Sequence, residues 1–447
     1  MNTEPKRPIA IDLFAGVGGM SLGFEQAGFD IIGAVEIDPI HAAAHRYNFP
    51  HCIVFPHSVR NLSGAQIREG AGIGDREVDL VIGGAPCQGF SLMGQRALDD
   101  PRNGLVKDFV RLVAELDAAY FVFENVKGLT VGKHRRFLGE IIEEFQKIGY
   151  NVLTEWKVLN AADYGVPQNR HRLILMGAKK GRPLPAYPSP ITSPANQPTI
   201  SDLPPGPNCF AAIGDLPEAE HFPELLAGDA VLTDQWAIPS NYAQEMKCQT
   251  RRDWHLGYRR NFDRAWLTAS ARTKHTAISR ERFRNTPPGE VEPISRFFKL
   301  NRTGISNTLR AGTDSSRGAF TSPRPIHYAA ARCITVREMA RLHGFPDWFR
   351  FHVTKWHGAR QIGNAVPPPL ARAVGSAILA AIGTDLSPPE TVVELGDSAW
   401  LRLNMAQAAK FFGIEVPIAK RNRKSGAKKR KQSEIKAPIQ GVLFPEN

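Results

Sequence analysis

The sequence IAIDLFAGVGG, residues 9–19, joins a short apolar run to a glycine-rich turn, and similar apolar runs recur after it. Each run has the length of a buried strand, and a segment with helical periodicity follows it. The alternating segments are DIIGAVEI (30–37) and PIHAAAHRYN (39–48), VDLVIGG (78–84) and GLVKDFVRLVAEL (104–116), and YFVFEN (120–125) and RRFLGEIIEEFQKIG (135–149). From residue 8 to about 179 this alternation predicts an α/β fold, a mainly parallel sheet with helices on both faces.

The candidate functional residues of this region fall where the predicted strands end. Gly16 to Gly19 follow the first strand, Glu36 ends the second, Cys87 follows the third and Glu124 ends the run YFVFE. Ligands in open α/β sheets bind beyond the carboxyl ends of the strands. The sequence therefore predicts one binding site on this rim.

Composition excludes several classes of protein. Of the 447 residues 42% are hydrophobic, which is enough for two or three domains with sizeable cores. The apolar stretches are far shorter than the roughly 20 residues that cross a bilayer, and MNTEPKRP at the N-terminus lacks an apolar signal core. Five widely separated cysteines predict reduced thiols, with no disulfide framework and no metal site. We expect a soluble cytoplasmic protein that does not bind membranes.

Positive charge is concentrated in two places. The segment Lys420 to Lys431 holds eight of the 56 basic residues, which leaves 48 Lys and Arg against 44 Asp and Glu elsewhere. Within that nearly neutral remainder, Lys247 to Arg284 contains eleven basic residues and three acids. Both segments are expected to meet phosphates.

The second half of the chain is predicted to contain an insertion. Residues 181–207 contain nine prolines, which predicts a linker, and helical patterns return only in ITVREMARLHGFP (334–346) and PPPLARAVGSAILAAIG (367–383). The predicted units are a catalytic domain, an inserted smaller domain, and a C-terminal extension that carries the basic run. Their bounds are 1–179 completed by 333–383, then 180–332, then 384–447.

Two finer patterns concern the insertion and the extension. Trp254, Tyr258, Phe262 and Trp266 recur every fourth residue, which predicts a helix with one apolar stripe and exposed arginines between. MAQAAKFFGIEVPIAKRNRK (405–424) partly matches a helix-turn-helix. The alternatives for the extension are a solvated linker and a set of sequence-independent phosphate contacts.

The stretch DLVIGGAPCQGFS, residues 79–91, places Cys87 in a glycine-flanked loop after a strand. A lone cysteine is more often a small buried hydrophobe than a nucleophile. Four other segments accompany it: IAIDLFAGVGG (9–19), FVFENVKGL (121–129), QNRHRLILMG (168–177) and QIGNAVPPPLA (361–371). In this order and spacing they resemble the motif set of the DNA cytosine-5 methyltransferases, over nearly the whole chain to about residue 383.

The resemblance implies a Rossmann-like S-adenosylmethionine-dependent methyltransferase domain with an inserted target-recognition domain. Carbon 5 of cytosine is a weak nucleophile, and the thiolate of Cys87 would activate it by adding to carbon 6. Glu124 would neutralise the resulting charge at the N3 edge. The resemblance assigns Arg172 to the base pocket and leaves Arg170 supporting the cysteine loop, and the alternation of the two arginines predicts that both point to one face.

The implied cofactor is S-adenosylmethionine. Gly16, Gly18 and Gly19 would let the backbone approach it closely, Phe14 would lie against adenine, and Glu36 would take the ribose hydroxyls. The remaining matched cofactor positions are Val59, Pro86, Leu105, Asn364 and Val366. Ser58 stands where the family usually has an acidic residue for the adenine amino group.

The implied substrate is double-stranded DNA. A cytosine inside a duplex must be rotated out before a thiolate can reach it. The loop 91–104 is polar and glycine-containing, so we expect it to close on the DNA, with Met93 filling the vacated space and Gln88 and Ser91 also contacting DNA. A paired restriction endonuclease is a candidate functional partner, and we expect a monomer.

Other functions fit less well. A nicotinamide-binding turn would need glycine at position 21, which is Ser21, and an amino-group DNA methyltransferase would need a Pro-Pro-aromatic motif at a strand end. A transfer-RNA cytosine methyltransferase would carry a Cys-Phe-Thr signature and no long insertion. A catalytically silent DNA-binding scaffold would not need Cys87, Glu124 and Arg172 together.

Overall fold

A computed structural model describes residues 6–86, 103–132, 134–195, 202–313 and 323–417. The strands within these ranges are β1 (Ile9–Leu13), β2 (Asp30–Val35), β3 (Ile53–Phe55), β4 (Leu80–Gly83), β5 (Tyr120–Val126), β6 (Tyr150–Val152), β7 (Lys157–Asn160), β8 (His171–Lys179), β9 (Val231–Leu232), β10 (Arg259–Arg260), β11 (Trp266–Leu267) and β12 (Val392–Val393). The helices are α1 (Gly19–Gln26), α2 (Pro39–Asn48), α3 (Gly64–Gly70), α4 (Gly104–Glu115), α5 (His134–Lys147), α6 (Cys209–Ile213), α7 (Asn241–Met246), α8 (Ala277–Asn285), α9 (Val336–Arg341), α10 (Lys355–Asn364), α11 (Pro368–Ile382) and α12 (Met405–Phe411).

The central sheet confirms the predicted α/β class. Its strand order is β3-β2-β1-β4-β5-β8-β6, with β7 also pairing with β8. The first five strands in this order are parallel, whereas β8 runs antiparallel to β5. The carboxyl ends of β1, β2, β4 and β5 therefore meet at one edge of the sheet.

Alternate residues of the strands bury opposite faces of the sheet. In β1, Ile9, Ile11 and Leu13 join the core cluster that includes residues of α4 and α5, while Ala10 joins the cluster that includes residues of α1 and α11. This is the period-two pattern of a strand buried on both faces.

Helix α11 packs on α1 although the two are distant in the sequence. An added Cβ at Gly23 of α1 would lie 2.5 Å from the carbonyl oxygen of Pro368, and one at Gly375 of α11 would lie 2.7 Å from Cβ of Ala27. The close approach therefore requires glycine on both helices. The α10–α11 stretch, Lys355–Ile382, is long and apolar enough to cross a membrane, but more than half of its most apolar part is buried inside the protein, as in a core helix.

The predicted helix through the four aromatic residues of the insertion is wrong. A 3-10 turn, Arg251–Trp254, stops at His255, whose φ of 53° is incompatible with a continuing helix. Trp254 is buried, whereas Trp266 lies on β11 with 45% of its surface exposed. The four aromatic residues therefore do not lie on one face of a helix, although they recur every fourth residue.

The predicted basic surface between residues 247 and 284 is only partly a surface, because Lys247 and Arg260 are buried and several other cations of the segment also bind carboxylates or carbonyls of the protein. Both terminal nitrogens of Arg260 donate to the Glu25 carboxylate at 2.8 Å, and the two side chains are 0% and 1% exposed. Arg264 donates to the carbonyl oxygens of Lys247 and Cys248. These arginines tie the insertion to the first domain and to itself.

The described part of the C-terminal extension, residues 384–417, packs on the first domain. Strand β12 pairs with β10, and the Gly396 amide donates to the Tyr47 carbonyl of α2 at 2.9 Å. The Arg46 guanidinium lies over the Trp400 ring, and Leu401 is 1% exposed. This segment is therefore no solvated linker, whereas the basic run and the expected recognition helix lie outside the described residues.

Candidate active site

The glycine-rich turn after β1 is fixed to the end of β2. Gly16 has φ of 56°, a left-handed conformation that favours glycine, and its amide donates to Glu36 Oε2 at 2.8 Å. The Asp38 amide donates to Glu36 Oε1 at 2.8 Å. Burial raises the pKa of Glu36. One buried carboxylate thus connects the turn to the loop that begins α2.

A second buried carboxylate lies at the end of β1. Asp12 is 1% exposed and accepts a hydrogen bond of 2.6 Å from Ser21 Oγ, which also lies 3.0 Å from His45 Nε2. Burial raises the pKa of Asp12 to about 7, and burial lowers that of His45 to about 3. His45 is therefore neutral at physiological pH, whereas the pKa of Asp12 lies close to physiological pH.

A cavity of about 940 Å³ opens at the carboxyl ends of β1, β2, β4 and β5. A volume of this size suits a cofactor-sized ligand. The predicted site residues that line it are Phe14, Gly16, Gly19, Glu36, Pro86, Glu124, Asn364 and Val366. Segments at opposite ends of the sequence therefore line one cavity, and its position beyond the strand ends agrees with the rim expected from the sequence.

Glu124 and Arg172 form an ion pair at the base of this site. The Arg172 Nε atom lies 2.7 Å from Glu124 Oε1, and each side chain is only 12% exposed. The antiparallel pairing of β8 with β5 sets Arg172 opposite Val126, two residues beyond Glu124. The pairing of the two strands therefore brings together residues that are distant in the sequence.

The loop that leads to Cys87 lies against this pair. An added Cβ at Gly84 would stand 2.6 Å from Glu124 Oε2, and Asn125 Nδ2 donates to the Ala85 carbonyl at 2.9 Å. Gly84 and Pro86 also line the cavity. Cys87 itself, with Gln88, Ser91 and Met93, lies outside the described residues.

The described contacts of the Arg170 guanidinium lie between the insertion and the end of α10. Arg170 lies one residue before β8 and is 1% exposed. Its guanidinium donates to the carbonyl oxygens of Leu309, Gly363 and Ala365 at 2.8–2.9 Å. These hydrogen bonds connect the insertion to the end of α10, and support of the cysteine loop by Arg170 stays a prediction.

Three predicted cofactor residues are not on the cavity wall. At Gly18 an added Cβ would meet the Phe49 ring at 2.5 Å, so this glycine serves the packing of the turn on α2. Val59 is 2% exposed in a 3-10 turn that Ser58 caps, and Leu105 packs partly buried against the core. Ser58 Oγ accepts from the Arg60 amide. The contacts of Val59 and Leu105 with a cofactor stay predictions.

The sequence patterns did not indicate one wall of the cavity. It consists of residues just before and along α10, together with residues of the C-terminal extension: His352, Thr354, Trp356, His357, Arg360, Arg402, Asn404, Met405 and Pro417. Burial lowers the pKa of His357 to about 4, so this imidazole is neutral. The spacing Trp356, Arg360, Asn364 places one residue per turn on a single face of α10, which is the signal that could have identified this wall.

Comparison with known proteins agrees with this geometry. Residues 9–380 match the family model described as C-5 cytosine-specific DNA methylase. The chain is 58% identical over 418 residues to type II methyltransferase M.XorII of Xanthomonas oryzae pv. oryzae, covering 93% of this chain and 95% of the relative. It is 36% identical over 374 residues to type II methyltransferase M1.HphI of Haemophilus parahaemolyticus, covering 83% and 86%.

A solved structure is similar over the same region. It is a crystal structure of a protein described as a DNA modification methyltransferase encoded within a prophage of E. coli, with a TM-score of 0.65 and 32% identity. The match covers 84% of this chain and 100% of that one. The chain belongs to the C-5 cytosine-specific DNA methylase family and is a DNA cytosine-5 methyltransferase of the restriction-modification type.

Proposed function

We propose that this enzyme transfers a methyl group from S-adenosylmethionine to carbon 5 of a cytosine that is flipped out of a specific duplex DNA sequence, through a covalent adduct with Cys87. The observation that carries the proposal is the ion pair of Glu124 and Arg172, whose side chains are each 12% exposed. Glu124 lies against Gly84 and lines the large cavity, and Gly84 is three residues before Cys87 in the chain. The proposal brings an acid, a cation and a nucleophile to one base.

The chemistry uses each of these groups once. The Cys87 thiolate forms a bond from Sγ to carbon 6, and the electron pair of the C5=C6 bond is displaced so that carbon 5 becomes nucleophilic. Glu124 supplies a proton at N3, and Arg172 holds the carboxylate in place and contacts the O2 edge. After methylation, a base removes the proton from carbon 5, the C5=C6 bond reforms as the bond from Sγ to carbon 6 breaks, the thiolate leaves, and the N3 proton returns to Glu124.

The residues present fit an S-adenosyl cofactor. The turn at Gly16 has open space, since an added Cβ there would meet nothing within 4 Å. Asp12, Glu36 and Asp38 line the same cavity, and their carboxylates suit ribose hydroxyls and the cationic groups of the methionine part. When bound, the cofactor supplies the methyl group.

The residues that would hold the cofactor come from both ends of the family-matched region. Glu36 would accept from the ribose hydroxyls, and Phe14, with φ of 63°, would lie against the adenine. Asn364 and Val366 would line the methionine end. Pro86 would separate the cofactor from the base pocket.

Sequence choice belongs to the insertion, and base flipping belongs to the loop after Cys87. We assign target recognition to residues 180–332, and base flipping to the loop that contains Gln88, Ser91 and Met93. Replacing residues 208–331 with the corresponding segment of a relative should transfer the methylated sequence. If the sequence preference stays with the first domain, this division is wrong.

The decisive experiment is a Cys87→Ser variant assayed by transfer of tritiated methyl groups to duplex DNA. Turnover should fall by more than about a thousandfold, because a hydroxyl is a far weaker nucleophile than a thiolate. Cys333→Ser is the matched control, since this thiol is buried in the small cluster around Phe283 in the insertion.

Two further measurements sharpen the result. DNA with 5-fluorocytosine at the target should trap the wild type covalently but not Cys87→Ser, because fluorine blocks the final proton removal. Methylation by Cys87→Ser within tenfold of wild type would refute the mechanism, and methylation of transfer RNA in preference to duplex DNA would refute the substrate.

The biological setting is suggested by the relatives' names. Several are type II methyltransferases, so we propose a cytoplasmic monomer that acts beside a restriction endonuclease of the same specificity. Bisulfite sequencing of DNA from expressing cells would give the methylated sequence. That DNA should then resist an endonuclease that cuts this sequence.

A further inference from the structure

The C-terminal segment, defined here as residues 384–417, reaches the cavity although it lies beyond residue 380, where the family match ends. Four of its residues line the cavity: Arg402, Asn404, Met405 and Pro417. They stand beside the loop that follows Glu36, since the residues from Ile37 to His41 line the same space. The cavity therefore has a wall that the shared part of the family does not supply.

This wall is held on two sides. On one side, the Gly396 amide donates to the Tyr47 carbonyl at 2.9 Å, which fixes the segment to α2. On the other side, the Val353 amide donates to the Leu401 carbonyl at 3.1 Å, and His352 Nε2 lies 3.1 Å from the Leu403 carbonyl. Residues 401–405 are thus anchored between α2 and the residues that precede α10.

Met405 is placed by a capped helix start. Asn404 Oδ1 accepts from the Gln407 amide and Gln407 Oε1 accepts from the Asn404 amide, both at 3.0 Å, so the first turn of α12 has a fixed geometry. Ala408 and Ala409, one turn further along, are fully buried and prevent the helix from rotating. The partly buried Met405 side chain therefore keeps its position on the cavity wall.

The chemistry of the wall complements the loop near Glu36. Ile37 is 57% exposed and lines the cavity, so an apolar surface is left uncovered next to the carboxylate proposed to hold ribose. Trp356 and Met405 add apolar surface to the same cavity. A thioether adapts readily to the flat or irregular surface of a ligand.

We propose that the C-terminal segment is part of the cofactor site and that Met405 packs directly against the bound S-adenosyl cofactor. The inference rests on the proposed cofactor. The proposal gives the two parts of the extension different roles. Residues 384–417 contribute to cofactor affinity, and the basic run beyond them contributes to DNA binding.

The test measures binding of S-adenosylhomocysteine, the unreactive product form, to the full-length protein by isothermal titration calorimetry. Met405→Trp should raise the dissociation constant at least tenfold, because the larger ring occupies space in the cavity. Ala406→Trp, at the adjacent exposed position outside the cavity, is the matched control and should stay within twofold of wild type. Equal far-ultraviolet circular dichroism of the two variants verifies folding.

A second variant with a smaller side-chain change keeps the test valid if Met405→Trp misfolds. Met405→Ala should weaken binding about threefold because it removes apolar surface from the cavity wall, whereas Lys410→Ala on the exposed side of α12 should not. If wild type binds the ligand and all four variants match it, the inference is overturned and the proposed function stands. If wild type binds no S-adenosylhomocysteine, both fail.

Discussion

Gly84→Ala should damage catalysis through a single methyl group. The added Cβ would lie 2.6 Å from Glu124 Oε2, while ordinary van der Waals contact begins near 3.4 Å, so the carboxylate must retreat by about 0.8 Å. Misplacement of a catalytic group by about 1 Å costs on the order of a hundredfold in rate, or about 2.7 kcal/mol. The retreat also lengthens or tilts the 2.7 Å contact with Arg172.

The assay is single-turnover methylation of a duplex containing the target, with enzyme in excess. The rate constant for methyl transfer should fall about a hundredfold. The melting temperature should change by no more than a few degrees, because the close approach is to the end of a side chain and the Glu124 carbonyl oxygen lies at an ordinary contact distance of 3.7 Å. Gly139→Ala in α5 is the matched control, since nothing lies within 4 Å of its added Cβ. A rate within threefold of wild type for Gly84→Ala would show that the position of Glu124 does not limit the chemistry.

Three other outcomes are expected. Arg260→Met leaves the Glu25 carboxylate buried without its bidentate partner. The free energy of unfolding, measured by urea titration, should therefore fall by about 3–5 kcal/mol. A decrease below about 1 kcal/mol would contradict the importance of this pair. Burial opposes ionisation of Glu338, but the charge and hydrogen bonds of Arg332 lower the pKa of Glu338 to about 2. The stability that the ionised Glu338 contributes should therefore be fully present above pH 4.5 and be lost as the pH drops towards 2. Glu338→Gln should remove this part of the pH dependence of unfolding. Deleting residues 418–447 should leave the methylated sequence unchanged. The slope of the logarithm of DNA affinity against the logarithm of salt concentration should become shallower by about 0.9 for each phosphate that the basic run neutralises. An unchanged slope would contradict a role of this run in binding.

The parts of the fold that could be predicted are those encoded by local periodicity. The alternation from residue 8 to 179 indicated the parallel strands, because a buried strand and an amphipathic helix differ in hydrophobic period over a few residues. Glu36 and Glu124 were identified for a related reason, since each follows an apolar run that must end at the binding edge. Such signals need no knowledge of distant contacts.

The predictions that were wrong concern residues whose partners are far away in the chain. The local pattern indicated an exposed arginine at Arg260, but its partner Glu25 lies 235 positions away and no local pattern indicates that pair. The aromatic spacing near Trp254 suggested a helix, but that spacing gives no sign of the positive φ at His255, where the turn stops. Met405 could not be identified because a residue on an extension becomes a cavity wall only after docking.

The contact of α1 with α11 also has a consequence for synthesis on the ribosome. Helix α1 is complete at Gln26, but its partner begins at Pro368, so the intervening chain must be translated before the glycine-rich surface of α1 is covered. At about 5–20 residues per second this takes roughly 20–70 s. During that interval the nascent chain exposes the apolar face that α11 will bury and lacks Asn364 and Val366. We therefore expect the unfinished chain to need protection from aggregation until α11 emerges, and its cavity to be completed only after nearly the whole sequence has been translated.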